Sequence, residues 1–378
     1  MAGEEIPITP EVVQWARERA GFSIGEATKS FKKIVEWEAG ESSPTYPQLE
    51  KLAIKFKLPI AVFFFPEPPE LPSISETFRT LPASEFSQIP RAVRHMLRKA
   101  KVLQLNLAEL NQGRNPSERL ITRDLPFSDG TSVEVMAQQV RDYLGISLRE
   151  QQRWTGADAA LKGWRQALLD AGIFVFKDAF KENSYSGFCL YDEAFPIIYV
   201  NNSSAKTRQT FTLFHELAHL LFHTSGIDPI SDNYIVSLPN QEQRIEVMCN
   251  RFAAEFLVPN DAFEKAIASI APTEAAAEVL AERYHVSRES IYRKFLDRGL
   301  ITQAAYTEAA ERWASQKKKG SGGNPYWSKI TYLGRDYIEL ALSQYHQNRI
   351  SDVQLAEYLD TKPKNVGTLE EYFYRGVA

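Results

Sequence analysis

The sequence predicts a mainly α protein with a small β-sheet (α+β), divided into several domains. Three observations lead there. Apolar residues recur at spacings of three and four through most of the chain, the pattern of amphipathic helices. One window, residues 172–201, switches instead to short β-prone runs. At 378 residues the chain exceeds what one average core encloses. Hydrophobic content of 44% and aromatic content of 12% suffice for folded domains, and 44 basic against 48 acidic side chains leave a net charge of only −4, which argues against wholesale disorder.

The first domain spans residues 1–70. Thr9 can cap a helix with Pro10 at its first position, and Gly21 ends it. The stretch "WEAGESSPTYPQLEKLAIKF" that follows resembles the second half of a helix-turn-helix domain of the XRE repressor type. Between Ser23 and Trp37 the segment is about four residues shorter than that pattern, and the shortening falls at the turn before the recognition helix. Residues 1–70 also carry 8 Lys/Arg and 11 Asp/Glu, 8 − 11 = −3. DNA affinity comes largely from phosphate neutralisation, so the expectation is a helical module that holds a protein partner or another part of the chain, with DNA contact as the alternative.

Repeated prolines in "FFFPEPPELPS" close this domain. A helical connecting region, 71–155, follows; "RAVRHMLRKAK", which contains His95, reads as a solvated basic helix face. The third domain, 156–312, opens with a helix, "DAALKGWRQALLDAG", and continues into three strands, Gly172 to Asp178, Ser186 to Asp192 and Pro196 to Asn201. A glycine-rich, basic linker at 313–325 separates it from a C-terminal helical extension, 326–378, that could dock on the first domain or pair two chains. The acidic amino terminus lacks a signal-peptide layout and the run Ile60 to Phe65 is too short to span a bilayer, so the expected location is the cytoplasm, with no membrane partner. Two cysteines, Cys189 and Cys249, are too few for a disulfide framework or a cysteine metal site, and read as small buried residues.

The chemistry concentrates in "FTLFHELAHLLFH", residues 211–223. His215 and His219, four apart on a helix, lie about 40° apart around its axis, so both imidazoles can reach one cation. Glu216, in the H-E-x-x-H position, is displaced enough to meet a water beside the cation rather than the cation itself. His223 lies about 12 Å along the axis from His215 at about 1.5 Å per residue and reads as a supporting side chain, not a ligand. A catalytic zinc typically takes three protein ligands, so a carboxylate from a neighbouring element is required. In "NQEQRIEVMCNRFAAEFLVP" Glu246 sits where the apolar stripe begins, with Glu242 one turn earlier as its rival. Asn250, four residues beyond Glu246, could orient a ligating histidine. Arg208, Tyr185 and Tyr292 are candidate donors to the oxyanion, unranked by sequence.

The stretches "SGFCLYDEAFPIIYVNNSSAKTRQTFTLFHELAHLLFH", "EVMCNRFAAEFLVP" and "LAERYHVSRESIYRKFLDRGLI" together resemble the ImmA/IrrE metallopeptidases over roughly residues 160–300. The resemblance implies a zincin-like metallopeptidase core flanked by helical domains, with His215, His219 and Glu246 as metal ligands and Glu216 as general base. It also implies a divalent cation, Zn2+ first and Mn2+ second, and a protein substrate: a helix-turn-helix regulator in a stress response, or a partner in a mobile-element or toxin–antitoxin setting. A regulatory protein that uses the peptidase fold mainly for binding is the competing expectation. The last stretch has the cadence of a second helix-turn-helix turning at His285 to Ser287; in such a family it packs on the core.

Overall fold

The fold is described from a computed structural model, covering residues 4–56, 58–69, 89–128, 130–182, 184–229, 240–316 and 323–376, with side chains at 240 and 241 excepted. The chain divides into two compact units, Met1–Thr77 and Phe78–Ala378. Pro72, the last proline of the run that closes the first domain, falls outside the described residues.

In the first unit, α1 (Pro10–Arg19), α2 (Ile24–Ser30), α3 (Ile34–Ala39) and α4 (Tyr46–Phe56) precede a 3-10 turn at Ile60–Phe64. Thr9 stands at the N-cap of α1 with Pro10 behind it, but its hydroxyl donates to the Phe65 carbonyl (2.6 Å) instead of capping the helix. Ser23 and Glu26 form a reciprocal capping box on α2. The shortened stretch yields an α3 of only six residues, stopped by Gly40 in the left-handed region (φ 73°). Val12, Ile34, Trp37, Leu52 and Phe63 fill the core, and the buried Arg17 is held by Glu38 at 2.7 and 3.0 Å.

The second unit opens with the 20-residue α5 (Arg91–Leu110), followed by a short turn of helix α6 (Ile121–Asp124), α7 (Val133–Leu144), α8 (Leu148–Gln151) and α9 (Ala157–Asp170). The three expected strands form as β1 (Phe174–Asp178), β2 (Tyr185–Leu190) and β3 (Ile197–Asn201). After α10 (Lys206–Leu221), β4 (Ile227–Pro229) adds a fourth that the sequence did not announce: three residues ending in proline carry no periodic signal. The order is β1-β3-β2-β4, with β1 parallel to β3 and β2 antiparallel to both β3 and β4.

Strand alternation sends the two faces to different partners. Val175, Cys189, Ile198 and Val200 share one core with Leu213, Phe214 and Leu217 of α10. On the other face Phe188 stacks on Tyr199 (5.2 Å, 9°) and Phe176 meets Tyr337 edge-on at 5.3 Å. Tyr337 belongs to the C-terminal helices α16 (Pro325–Leu333), α17 (Arg335–His346), α18 (Asp352–Tyr358) and α19 (Pro363–Arg375). The C-terminal extension therefore docks on the sheet within its own unit. Arg165 of α9 ties it there, donating to Val175 O on the edge strand and to Thr331 O (2.7 Å) of α16, and Lys99 of α5 joins Asp178 to Asp360.

Between sheet and extension run α11 (Asn240–Leu257), α12 (Asn260–Ile267), α13 (Glu274–Tyr284), α14 (Arg288–Asp297) and α15 (Gln303–Ser315). The helix α15 continues through Ser315 and α16 begins at Pro325, so the expected linker is shorter than 313–325; residues 317–322 lie outside the described set. His285 closes α13 in the left-handed region (φ 57°) and Ser287 caps α14. This second helix-turn-helix cadence packs inward, with Ile291 and Phe295 at zero exposure. Its basic side chains are occupied within the unit: Arg288 by Glu278, Arg293 by Asp297, Lys294 by Glu255 and Arg298 by Glu264.

Candidate metal centre

The face of α10 that carries His215 and His219 packs against α11, and both helices are apolar enough to be buried there. Leu213, Phe214, Leu217 and Leu220 of α10 meet Cys249, Phe252, Ala253 and Phe256 of α11, with the Phe214 and Phe256 rings stacked at 4.0 Å. Burial of this apolar surface, about 25 cal/mol per Å2, fixes the two helices closely enough to aim side chains between them. Into that seam project His215, His219 and Glu246, exposed by 1%, 3% and 3%.

Their ligand atoms converge. The two Nε2 atoms lie 3.2 Å apart, His215 Nε2 is 3.4 Å from Glu246 Oε2, and His219 Nε2 is 3.0 Å from Glu246 Oε1. A cation about 2.0–2.2 Å from each of three atoms at tetrahedral angles separates them by about 3.3–3.6 Å. The observed spacings match that edge length to within a few tenths of an ångström. Among the described residues this is the one group of three His, Cys, Asp or Glu side chains close enough to hold an ion. Glu242, the rival carboxylate, is not in it.

The surroundings fix the ligands' orientations. His215 Nδ1 faces Asn250 Oδ1 at 3.1 Å, one turn of α11 beyond Glu246. With Nε2 turned to the cluster, Nδ1 carries the hydrogen and donates it to that oxygen. His219 Nδ1 lies 3.4 Å from Thr224 Oγ1, whose hydroxyl donates back to the His219 carbonyl at 3.1 Å. Gly226 lies flat against the His219 ring, where a Cβ would come within 2.5 Å of Cδ2. Burial disfavours the charged form of His215, but the hydrogen bond to Glu246 and the charges of Asp228, Glu246 and Glu216 together outweigh it and raise the imidazolium to about 9. Burial likewise opposes charge on Glu246, and the two histidines nevertheless hold it well below the usual carboxylate range.

Glu216 is completely buried, and among the described residues neither carboxylate oxygen accepts a hydrogen bond from a nitrogen or oxygen. Its polar neighbour is the Cys189 thiol on β2. Burial pushes the Glu216 carboxyl up to about 7, against the pull of His215 and His219. A buried carboxylate without a protein donor is costly. It fits a site whose remaining partner is a water or a substrate. Cys249 is also fully buried, and burial raises both thiols well above their ordinary value, which leaves neither as a thiolate ligand.

His223 lies at the end of α10 with φ 56°, its Nε2 2.8 Å from the Thr122 carbonyl, and it joins no ion-binding group. Arg208 points two turns before His215 on the same face, but Asp228 of β4 engages it at 2.8 and 3.0 Å and Ser186 accepts from its Nε at 2.8 Å. Asp228 accepts from Thr212 as well (2.9 Å). Tyr292 packs its ring against Phe295, Tyr306 and Trp313. Tyr185 sits at the start of β2 opposite Pro229. Thr224, Gly226 and Asp228 escaped the sequence reading because they lie in a short loop and strand with no periodicity; the signal available was a glycine and an aspartate soon after the histidine motif.

The profile of the IrrE N-terminal-like domain (peptidase M78) matches residues 169–296, which include β1 to α14 and every residue of the cluster. The chain is 31% identical over 135 residues to the radiation response metalloprotease IrrE of Deinococcus deserti, an alignment covering 35% of this chain and 46% of that protein. It is 34% identical over 102 residues to the protein of the same name from Deinococcus radiodurans, covering 26% and 30%. The chain thus matches less than half the length of either relative.

Proposed function

We infer, from the match of residues 169–296 to the IrrE N-terminal-like domain and from the partial likeness to two IrrE metalloproteases, that this chain is a metal-dependent endopeptidase of the ImmA/IrrE type that cleaves a protein regulator. The observation that carries the reading is the convergence of three buried ligands beside a buried carboxylate that no N–H or O–H among the described residues satisfies. A structural ion needs the ligands but not the spare carboxylate.

His215, His219 and Glu246 would hold the cation, zinc by the nitrogen and oxygen donor set, with manganese as the alternative. When bound, the cation supplies a Lewis acid that acidifies a water and polarises the scissile carbonyl. Asn250 holds the His215 ring by its Nδ1–H, and Thr224 and Gly226 fix the plane of His219. Glu216 takes the proton of the attacking water at its carboxylate and passes it to the leaving amine; burial, which raises its proton affinity to about 7, suits it to both halves of that transfer. The buried Asp228 keeps Arg208 fixed on the approach to the site.

The substrate we propose is a helix-turn-helix regulator or an antitoxin-like partner, in a stress-response or mobile-element setting. The segment 1–70, with its balance of −3 and its six-residue α3, is proposed to hold a protein partner rather than DNA. No helix among the described residues is long and apolar enough to cross a membrane.

The test is to incubate the metal-loaded chain with the helix-turn-helix proteins encoded beside its gene and to identify new termini by mass spectrometry. One defined cleavage, lost on chelation and restored by zinc or manganese, is expected. Tight binding of such a protein with no cleavage under any divalent cation would favour a binding role for the fold instead.

A further inference from the structure

We propose that Arg208 is a specificity-determining residue, whose guanidinium receives an acidic side chain of the substrate, glutamate above all, about three residues from the scissile bond. The proposal rests on the endopeptidase reading of the metal centre and adds to it the chemistry of the peptide taken.

Arg208 and His215 lie two turns apart on one face of α10, about 10.5 Å along the axis at about 1.5 Å per residue. Phe211 fills the interval. Its half-buried ring lies 5.4 Å from Arg208 Cζ and 6.4 Å from the His215 ring, to which it is inclined by 30°. Guanidinium, aromatic ring and ligand imidazole thus form a run that leads away from the metal centre along the helix. An extended peptide advances about 3.3 Å per residue, so a chain whose scissile bond stands at the cluster reaches Arg208 with about its third residue.

The guanidinium is held by one edge and open at the other. Nε donates to Ser186 Oγ at 2.8 Å, and Nη2 donates to both oxygens of Asp228 at 2.8 and 3.0 Å. Ser186 and Asp228 are buried, Thr212 donates a further bond to Asp228 at 2.9 Å, and the pairing of β4 with β2 sets Asp228 opposite Gly187. Nη1 has no hydrogen-bond partner among the described residues, yet it is not a buried atom: it opens to solvent on a side chain that is 31% exposed. Asp228 sits behind the guanidinium, out of a ligand's reach, so solvent meets the cationic edge. Two N–H groups fixed in direction before a substrate arrives suit a carboxylate. The Phe211 ring beside them offers apolar surface to the two methylenes of a glutamate. Asp228 also raises the proton affinity of both His215 and Glu216, which places this anchor close to the reacting centre.

The probe is a random-sequence peptide library with amidated carboxyl ends, so that side chains alone supply carboxylates. The zinc-loaded full-length chain is given the library and new termini are mapped by mass spectrometry, while zinc-loaded Glu216→Gln captures peptides from the same library without cutting them. Glutamate is expected over glutamine by about tenfold at one position about two to four residues from the cut, with glutamate enriched among the captured peptides as well. Arg208→Lys, which can still pair with Asp228 but has no fork, should reduce the preference severalfold. Arg208→Gln combined with Asp228→Asn, which leaves no buried carboxylate unpaired, should abolish it. The preference is a ratio within one library, independent of how much active protein each variant yields.

A merely structural role for Arg208 would lower all peptides alike and keep the preference, and that result would overturn the proposal. Cleavage with no glutamate preference would also overturn it and leave the endopeptidase reading standing. A library from which no glutamate peptide is selectively cut or captured would overturn it too. Capture of glutamate peptides that depends on Arg208, without any cleavage, would support the subsite and sink the endopeptidase reading instead.

Discussion

Replacing Gly226 by alanine is expected to disable the metal centre without altering a ligand. The added Cβ would lie 2.5, 2.6 and 2.8 Å from Cδ2, Cγ and Nε2 of His219. Ordinary carbon contacts begin near 3.4 Å, so the ring or the strand must give by about 0.6–0.9 Å, whereas metal–ligand distances tolerate about 0.2 Å. The strand cannot easily retreat: Gly226 N donates to Cys189 Sγ at 3.2 Å and its carbonyl accepts from Cys189 N at 3.0 Å. His219 therefore moves, and its Nε2 leaves the cluster. Losses of about 10–100-fold in metal affinity follow from disturbing the supports of a ligand, and displacement of the ligand itself should reach at least that range. The assay is competition with a chromogenic chelator, with circular dichroism as the check on folding. A folded Gly226→Ala protein with wild-type zinc affinity would refute the geometry assigned to His219.

The other expectations concern separate parts of the account. Asn250→Leu should weaken metal binding by about 10–100-fold while Asn250→Asp, which keeps an acceptor for His215 Nδ1, retains most of it; equal affinities in both variants would remove Asn250 from the site. Metal affinity should fall as pH drops below about 9, by up to about tenfold per unit, because the cation must displace the proton that Glu246, Asp228 and Glu216 stabilise on His215; an affinity independent of pH between 6 and 8 would contradict this. Lys177 has a depressed folded value of about 6 against an ordinary 10.5. Between those limits the unfolded chain holds the extra proton, so stability rises with pH by up to about 1.4 kcal/mol per unit. Lys177→Met should flatten that slope in urea unfolding and raise stability at pH 7, and an unchanged slope would show that the amine remains charged.

Legibility in the sequence followed periodicity. His215, Glu216 and His219 were visible because a helix turns four-residue spacing into a shared face, and Glu246 because it opens the apolar stripe of a second helix. Asn250 followed from the same helical spacing. What escaped depended on tertiary approach: the contact of Gly226 with a ring, the hold of Asp228 on Arg208, and the burial of Lys177 among like charges. Each lies at a strand end or loop, where neighbours come from distant segments. Docking of the C-terminal helices onto β1 is equally invisible, since Arg165 donates to main-chain carbonyls and Tyr337 and Asp360 meet Phe176 and Lys99, partners far away in the sequence. The helix-turn-helix cadence near His285 is legible as local structure, whereas the pairing of Arg288, Lys294 and Arg298 with carboxylates of other helices depends on the tertiary fold.

The most direct measurement compares the wild type with Glu216→Gln, both loaded with one cation per chain, in cleavage of the same regulator. The amide keeps the shape of the side chain and removes the proton acceptor. The account predicts unchanged metal content and a cleavage rate lower by at least about 10²-fold, in line with loss of a general base. Cleavage by Glu216→Gln at the wild-type rate, with the cation in place, would contradict it.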